Sequence, residues 1–159
     1  MLLRFLRLTL SNFRNLSNLR NFFMSHVLVI GSGGREHALC YRLSLSASVS
    51  KVYCAPGNAG IAADAECVTL ATPEAIIAFC RANAVALVVI GPEQPLVEGL
   101  ADRLRAESIP VFGPTAKAAM LEGSKGFTKA LCRTYNIPTA AYGFFDNRAE
   151  AETYLATQR

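Results

Sequence analysis

The amino-acid sequence predicts an α/β fold, a parallel sheet with helices on both faces. Three observations carry that expectation. Short β-branched runs alternate with segments of helical period. The first run, HVLVI, is apolar on both faces rather than at every second residue. Four of the five runs stop at glycine or proline.

The first run, HVLVI at 26–30, breaks at Gly31 and reads as a strand buried on both sides. ALCYRLSL follows at 38–45, with Leu39 and Leu43 four apart and Tyr41 and Leu45 likewise, which is a helix face. KVYCA at 51–55 predicts a second strand closed by Pro56-Gly57, and ECVTL at 66–70 a third. Thr72-Pro73-Glu74 supplies an N-cap, a proline at the first helical position and a first-turn acid. It opens a helix whose Ile76, Ile77 and Cys80 share a face. AVALVVI at 84–90 is the strongest strand pattern, ended by Gly91-Pro92. Pro95 to Ser108 reads as one helix and Ile109 to Phe112 as another strand.

Strand and helix alternating at this spacing make right-handed βαβ units, so 24–114 form one Rossmann-like domain. Residues 115–159 form a second region. It comprises a helical stretch from Thr115 to Asn136, a strand TAAYGFF at 139–145, and a helix opened by Asn147 with Glu150 three residues on. Ala151, Tyr154 and Leu155 form the apolar face of that last helix.

Charge narrows the function classes. The chain carries 16 Lys+Arg and 12 Asp+Glu, net +4, but Arg4, Arg7, Arg14 and Arg20 stand in 1–23 with no acid, leaving 24–159 neutral. A neutral folded part lacks the cationic field that drives binding to phosphate backbones, which argues against a nucleic-acid partner. Residues 1–23 combine Leu and Phe at helical spacing with arginines and no carboxylate. That is the composition of a presequence directing a mitochondrial or plastid location. The alternative is translation from Met24 and a cytoplasmic protein. The arginines interrupt too often for a membrane span, which needs about 20 largely apolar residues. Cys40, Cys54, Cys67, Cys80 and Cys132 stand singly, without zinc-site spacing, and read as reduced, buried hydrophobes. His26 and His37 are too few and too far apart for a metal centre.

Three loops leave the carboxyl ends of strands, where ligands of doubly wound sheets collect. In IGSGGREHA, Gly31, Gly33 and Gly34 follow a strand and open a helix. Unpaired backbone N–H groups and the helix dipole favour an anion there, with Arg35 adding a fixed positive charge. The structural alternative is a tight turn with positive φ at Gly33 or Gly34. The dinucleotide fingerprint needs a third glycine where this chain has Glu36, and an acid after the second strand where it has Cys54-Ala55-Pro56, so NAD is disfavoured. In APGNAG, Asn58 is a ligand contact or a turn residue. In GPEQPL, Gly91 precedes Glu93, which is placed to accept hydrogen bonds from ribose hydroxyls or an amine, or is a helix-start carboxylate. GSKGFTK at 123–129 lacks the Walker A spacing. By composition, Lys125 and Lys129 are surface lysines.

VLVIGSGGREHAL at 27–39, APGNAG at 55–60, VIGPEQPLVEGL at 89–100, FGPTAKAAMLEGSKGFTK at 112–129 and IPTAAY at 137–142 together resemble the amino-terminal part of the phosphoribosylamine-glycine ligase (glycinamide ribonucleotide synthetase) family. The resemblance implies a pre-ATP-grasp Rossmann-like domain followed by the start of an ATP-grasp small lobe. It implies an ATP- and Mg2+-dependent (or Mn2+-dependent) ligation of purine biosynthesis. In that reaction glycine's carboxylate becomes an acyl phosphate, which the amine of 5-phosphoribosylamine attacks, giving glycinamide ribonucleotide, ADP and phosphate. Gly31, Gly33, Gly34, Arg35 and Glu36 carry over as phosphoribosyl contacts, with Asn58, Gly91 and Glu93 beside them, and Lys125 as the lysine reaching the nucleotide. Lys129 keeps the surface reading. No catalytic or metal-holding residue carries over, so the expectation is an incomplete amino-terminal part, inactive alone. The competing expectation is a stand-alone Rossmann-like module that binds a sugar phosphate or nucleotide without catalysis.

Overall fold

The computed structural model describes residues 25–158. The presequence expectation for 1–23 and the alternative start at Met24 lie outside the described residues. Five parallel strands form one sheet: β1 Ser25–Gly31, β2 Val49–Pro56, β3 Glu66–Cys67, β4 Val85–Ile90 and β5 Val111–Phe112. Their order is β3-β2-β1-β4-β5. The chain builds outward from β1 to β3, then crosses back to place β4 on the other side of β1. Strand order therefore reverses between β1 and β4, the position at which such sheets open a crevice at their carboxyl ends.

The uninterrupted apolar run of β1 is explained by burial on both faces. Val27 and Val29 pack with Cys40, Val52, Cys54 and Ile61, under helix α1, Gly34–Ser44. Leu28 and Ile30 point the other way, into a core with Ile76, Cys80, Val88 and Leu104. That second face is covered by α2, Pro73–Ala82, and α4, Leu100–Ala106. The Thr72 hydroxyl accepts the Ala75 N–H at 3.2 Å, the cap the sequence predicts. Ion pairs Arg81–Glu107 and Arg103–Glu74 tie α2 to α4 on their outer surface.

Several boundaries differ from expectation. Pro95 to Ser108 is two helices, α3 Glu93–Val97 and α4, because Gly99 takes φ +85 between them and turns the chain. The stretch from Thr115 is also divided, into α5 Ala116–Gly123 and α6 Lys125–Thr134. The break is Ser124, whose extended backbone lets its hydroxyl cap α6 by accepting the Phe127 N–H at 3.2 Å. α5 buries Ala119 in the core that faces α2 and α4. The third strand is two residues long, not five. Residues 139–145 form no strand, since no other strand among the described residues lies beside them to complete the backbone hydrogen bonds. Instead Tyr142 donates its hydroxyl to the Lys129 carbonyl at 3.2 Å, and Phe145 packs on Tyr154 of α7, Arg148–Thr157, with ring centroids 5.1 Å apart. Ala151 and Tyr154 are half-buried, while Leu155 is exposed.

The cysteines are all free, but only Cys40, Cys54 and Cys80 are buried. Cys132 is half-buried, and Cys67 is exposed because the short edge strand β3 leaves its side uncovered. Lys129 is not a solvated lysine: its ammonium donates to Thr139 Oγ1 and the Ala140 carbonyl, both at 2.8 Å, and lies 5.2 Å from the Tyr142 ring centroid. The extended segment after α6 supplies those acceptors.

Candidate functional site

The three predicted loops meet at the carboxyl edge of the sheet, and backbone hydrogen bonds hold them there. Gly57 N–H donates to the Gly31 carbonyl at 3.1 Å, and Gly91 N–H donates to the Ile30 carbonyl at 3.0 Å. Asn58 fastens the second loop to the first: its amide donates to the Ser32 carbonyl at 2.7 Å, while its Oδ1 accepts the Ile61 N–H at 2.9 Å. Both ends of that side chain are hydrogen-bonded to protein.

The left-handed backbone at this corner belongs to Gly31, φ +132, and not to Gly33, which caps α1 with φ −89 in the extended region. Gly31 needs its glycine for a second reason. A Cβ there would sit 2.6 Å from Glu36 Cγ. A Cβ on Gly91 would sit 2.6 Å from Glu36 Cδ. The two glycines at the ends of β1 and β4 thus leave a slot at the point of strand reversal, and the Glu36 side chain fills it.

Glu36 is 4% exposed, the one charged side chain buried among the described residues. Its Oε2 accepts the Gly33 N–H at 2.7 Å and its Oε1 accepts Arg35 Nε at 3.0 Å. A carboxylate three residues past the N-cap commonly reaches back in this way. Burial at the strand reversal is what sets this one apart. The sequence reading makes Glu36 a substrate contact and leaves the Gly33 amide open to an anion. In the structure the two groups are hydrogen-bonded to each other.

What remains available faces outward. Gly34 and Arg35 are exposed, and the N–H groups of these first two helical residues have no acceptor among the described residues. The Arg35 side chain is 57% exposed and its Nη2 stands 3.8 Å from Glu93 Oε2, itself 51% exposed. The hydrogen bond to Glu36 pushes the Arg35 guanidinium further above its ordinary range, so its charge is fixed. The site presents a buried carboxylate aiming an exposed guanidinium, with two free helix amides beneath it and a second, loosely paired carboxylate across from it. Such an arrangement can hold a phosphate on one side and an amine or hydroxyl on the other.

Lys125 opens α6 and is exposed. It is not brought into hydrogen-bond contact with the corner. No three His, Cys, Asp or Glu side chains converge to hold a metal ion among the described residues. No helix there is long and apolar enough to cross a membrane. The sequence reading weighed His37 only as a metal ligand; its Nε2 lies 3.1 Å from Asp64 Oδ2 and its ring lies against Gly60. That pair ties α1 to the end of the Asn58 loop. Its only sequence signal is a glycine where the loop passes a histidine one turn into a helix.

A family model described as phosphoribosylglycinamide synthetase, N domain, matches residues 25–122. The chain is 58% identical over 132 residues to the phosphoribosylamine–glycine ligase of Mesorhizobium japonicum, covering 82% of this chain and 31% of that protein. It is 57% identical over 134 residues to the ligase of Brucella melitensis, covering 83% and 31%. Among solved structures, it is similar to phosphoribosylamine–glycine ligase from Thermotoga maritima, with TM-score 0.58, 27% identity, and coverage of 82% of this chain and 30% of that one. N5-carboxyaminoimidazole ribonucleotide synthetase from Thermus thermophilus aligns with TM-score 0.57 and 25% identity over 82% and 35% of the two chains. The chain therefore spans about a third of the length of the curated relatives it matches.

Proposed function

The chain belongs to the phosphoribosylglycinamide synthetase family, and from that premise we propose that it forms the substrate-holding first part of an enzyme joining glycine to 5-phosphoribosylamine in purine biosynthesis. The observation that carries the assignment to this corner is the exposed guanidinium of Arg35 above the free amides of Gly34 and Arg35 at the β1/β4 reversal. The phosphate of 5-phosphoribosylamine takes those donors. In doing so it displaces Glu93, whose exposed contact with Arg35 at 3.8 Å is weak. Glu93 is then free to accept from the ribose hydroxyls or the amine, which fixes the nucleophilic nitrogen relative to the phosphate end. Holding that nitrogen in one place is the contribution of this part to the bond-forming step.

ATP supplies the activation of glycine's carboxylate in the whole enzyme, and Lys125 is the described residue to which the family's nucleotide contact carries over. Among the described residues no three His, Cys, Asp or Glu side chains converge to hold a divalent metal. Calorimetric titration of the full chain tests the reading. Glycinamide ribonucleotide and ribose 5-phosphate should both bind, and Arg35→Ala should weaken both severalfold. Unchanged affinity in Arg35→Ala would remove the phosphate from this corner. Tighter binding of purine nucleotides than of glycinamide ribonucleotide would favour a nucleotide-binding module instead.

A further inference from the structure

We propose that Glu36 is a built-in anion that takes the place of a bound phosphate at the glycine loop, and so sets this corner against pyrophosphate-bridged ligands. The inference concerns the same corner as the ligase reading but stands on the geometry alone, whatever the substrate.

Position 36 is the third position of the Gly-x-Gly-x-x-Gly spacing begun by Gly31 and Gly33. In dinucleotide sites the second of those glycines lets the backbone approach the pyrophosphate, and the third lets helix and strand pack closely. Here the second glycine's N–H is donated at 2.7 Å to a carboxylate that comes from the third position. The donor that would meet an external phosphate at Gly33 is satisfied from within, and the carboxylate repels any anion brought to that amide. Glu36 is 4% exposed, in a slot opened for it by glycines at the ends of two neighbouring strands. A pyrophosphate needs two phosphates seated along the loop. With Gly33 capped, the outward donors of Gly34 and Arg35 beside the guanidinium seat one phosphate.

The test titrates the full chain with ADP-ribose and inorganic pyrophosphate, by calorimetry and by following the Gly33 amide resonance. The wild type should bind neither at Gly33. Glu36→Gly, which restores the fingerprint, should gain about tenfold for ADP-ribose with a shift of the Gly33 amide, the scale of one regained charge-assisted hydrogen bond. If that variant does not fold, Glu36→Gln decides. It keeps the volume and an oxygen for Gly33 but removes the charge, and should raise pyrophosphate affinity severalfold. No gain in the folded variant, or a wild type that already takes ADP-ribose at Gly33, overturns the inference. Glycinamide ribonucleotide in parallel reports the ligase reading separately, so either can fail without the other.

Discussion

Replacing Gly91 by alanine tests whether the slot around Glu36 is as closed as its geometry implies. A Cβ at residue 91 would lie 2.6 Å from Glu36 Cδ and 2.7 Å from Cγ, well inside contact distance. Two responses are open to the protein. The glutamate stays and the backbone shifts, an overpacking cost of about 1–3 kcal/mol. Otherwise the carboxylate swings away and the Gly33 N–H loses a charged acceptor, a cost of about 1.5–3 kcal/mol. The chain takes the cheaper route, so the two costs are alternatives and not a sum. The expected loss is about 1–3 kcal/mol, read from the urea midpoint at constant m-value. Gly34→Ala is the control. Nothing lies within 4 Å of a Cβ there, so the smaller unfolded-state entropy should leave it about 0.4–1 kcal/mol more stable. Glu36→Ala removes the group that Gly91→Ala strikes. In that background, adding Gly91→Ala should cost close to nothing, a coupling as large as the single-variant effect. A Gly91→Ala protein as stable as wild type, or one that pays the same cost in both backgrounds, would refute the closed slot.

Thiol chemistry offers a second check. Burial pushes the Cys54 thiol up to about 12 and Cys80 to about 11, from an ordinary 9.0. Above pH 9 the unfolded chain releases protons that the folded chain still holds. Their contribution is thus complete below pH 9 and lost as pH rises toward 11 and 12, by about 1.4 kcal/mol per unit for each thiol. Urea midpoints at pH 8 and pH 10.5 measure it, and Cys80→Ala should remove its share of the slope; a slope unaffected by that substitution counts against the burial argument. At pH 8 a disulfide reagent should label exposed Cys67 at once and leave Cys40, Cys54 and Cys80 until the chain unfolds. For the leader reading, residues 1–23 fused to a fluorescent protein should carry it to a mitochondrion or plastid, whereas a diffuse cytosolic signal supports a start at Met24.

The parts of the fold legible in the sequence are those whose signal is local. HVLVI states a doubly buried strand by composition, and Thr72-Pro73-Glu74 states a helix start by cap chemistry; both stand where expected. The misplaced boundaries share a cause. Gly99 and Ser124 interrupt patterns whose apolar period runs on across them, so the period reads as one helix where the backbone makes two. Residues 139–145 have strand composition, but a strand is a pairing and not a composition, and no pairing strand is in reach among the described residues.

At the site, the three loops were legible because the carboxyl ends of parallel strands must share an edge. What the sequence withheld was direction. A carboxylate after Gly-Gly-Arg reads as polar and outward, and only the three-dimensional meeting of Gly31 with Gly91 shows the slot that turns it inward. Two glycines 60 residues apart then have one explanation, the side chain between them. With Glu36 holding Gly33 and Arg35 together, the guanidinium is presented to solvent by a buried partner that solvent hardly reaches. The Arg35 contact with Glu93 is open to screening, being exposed on both sides, and so it is the one that added salt should weaken first and an arriving phosphate should break.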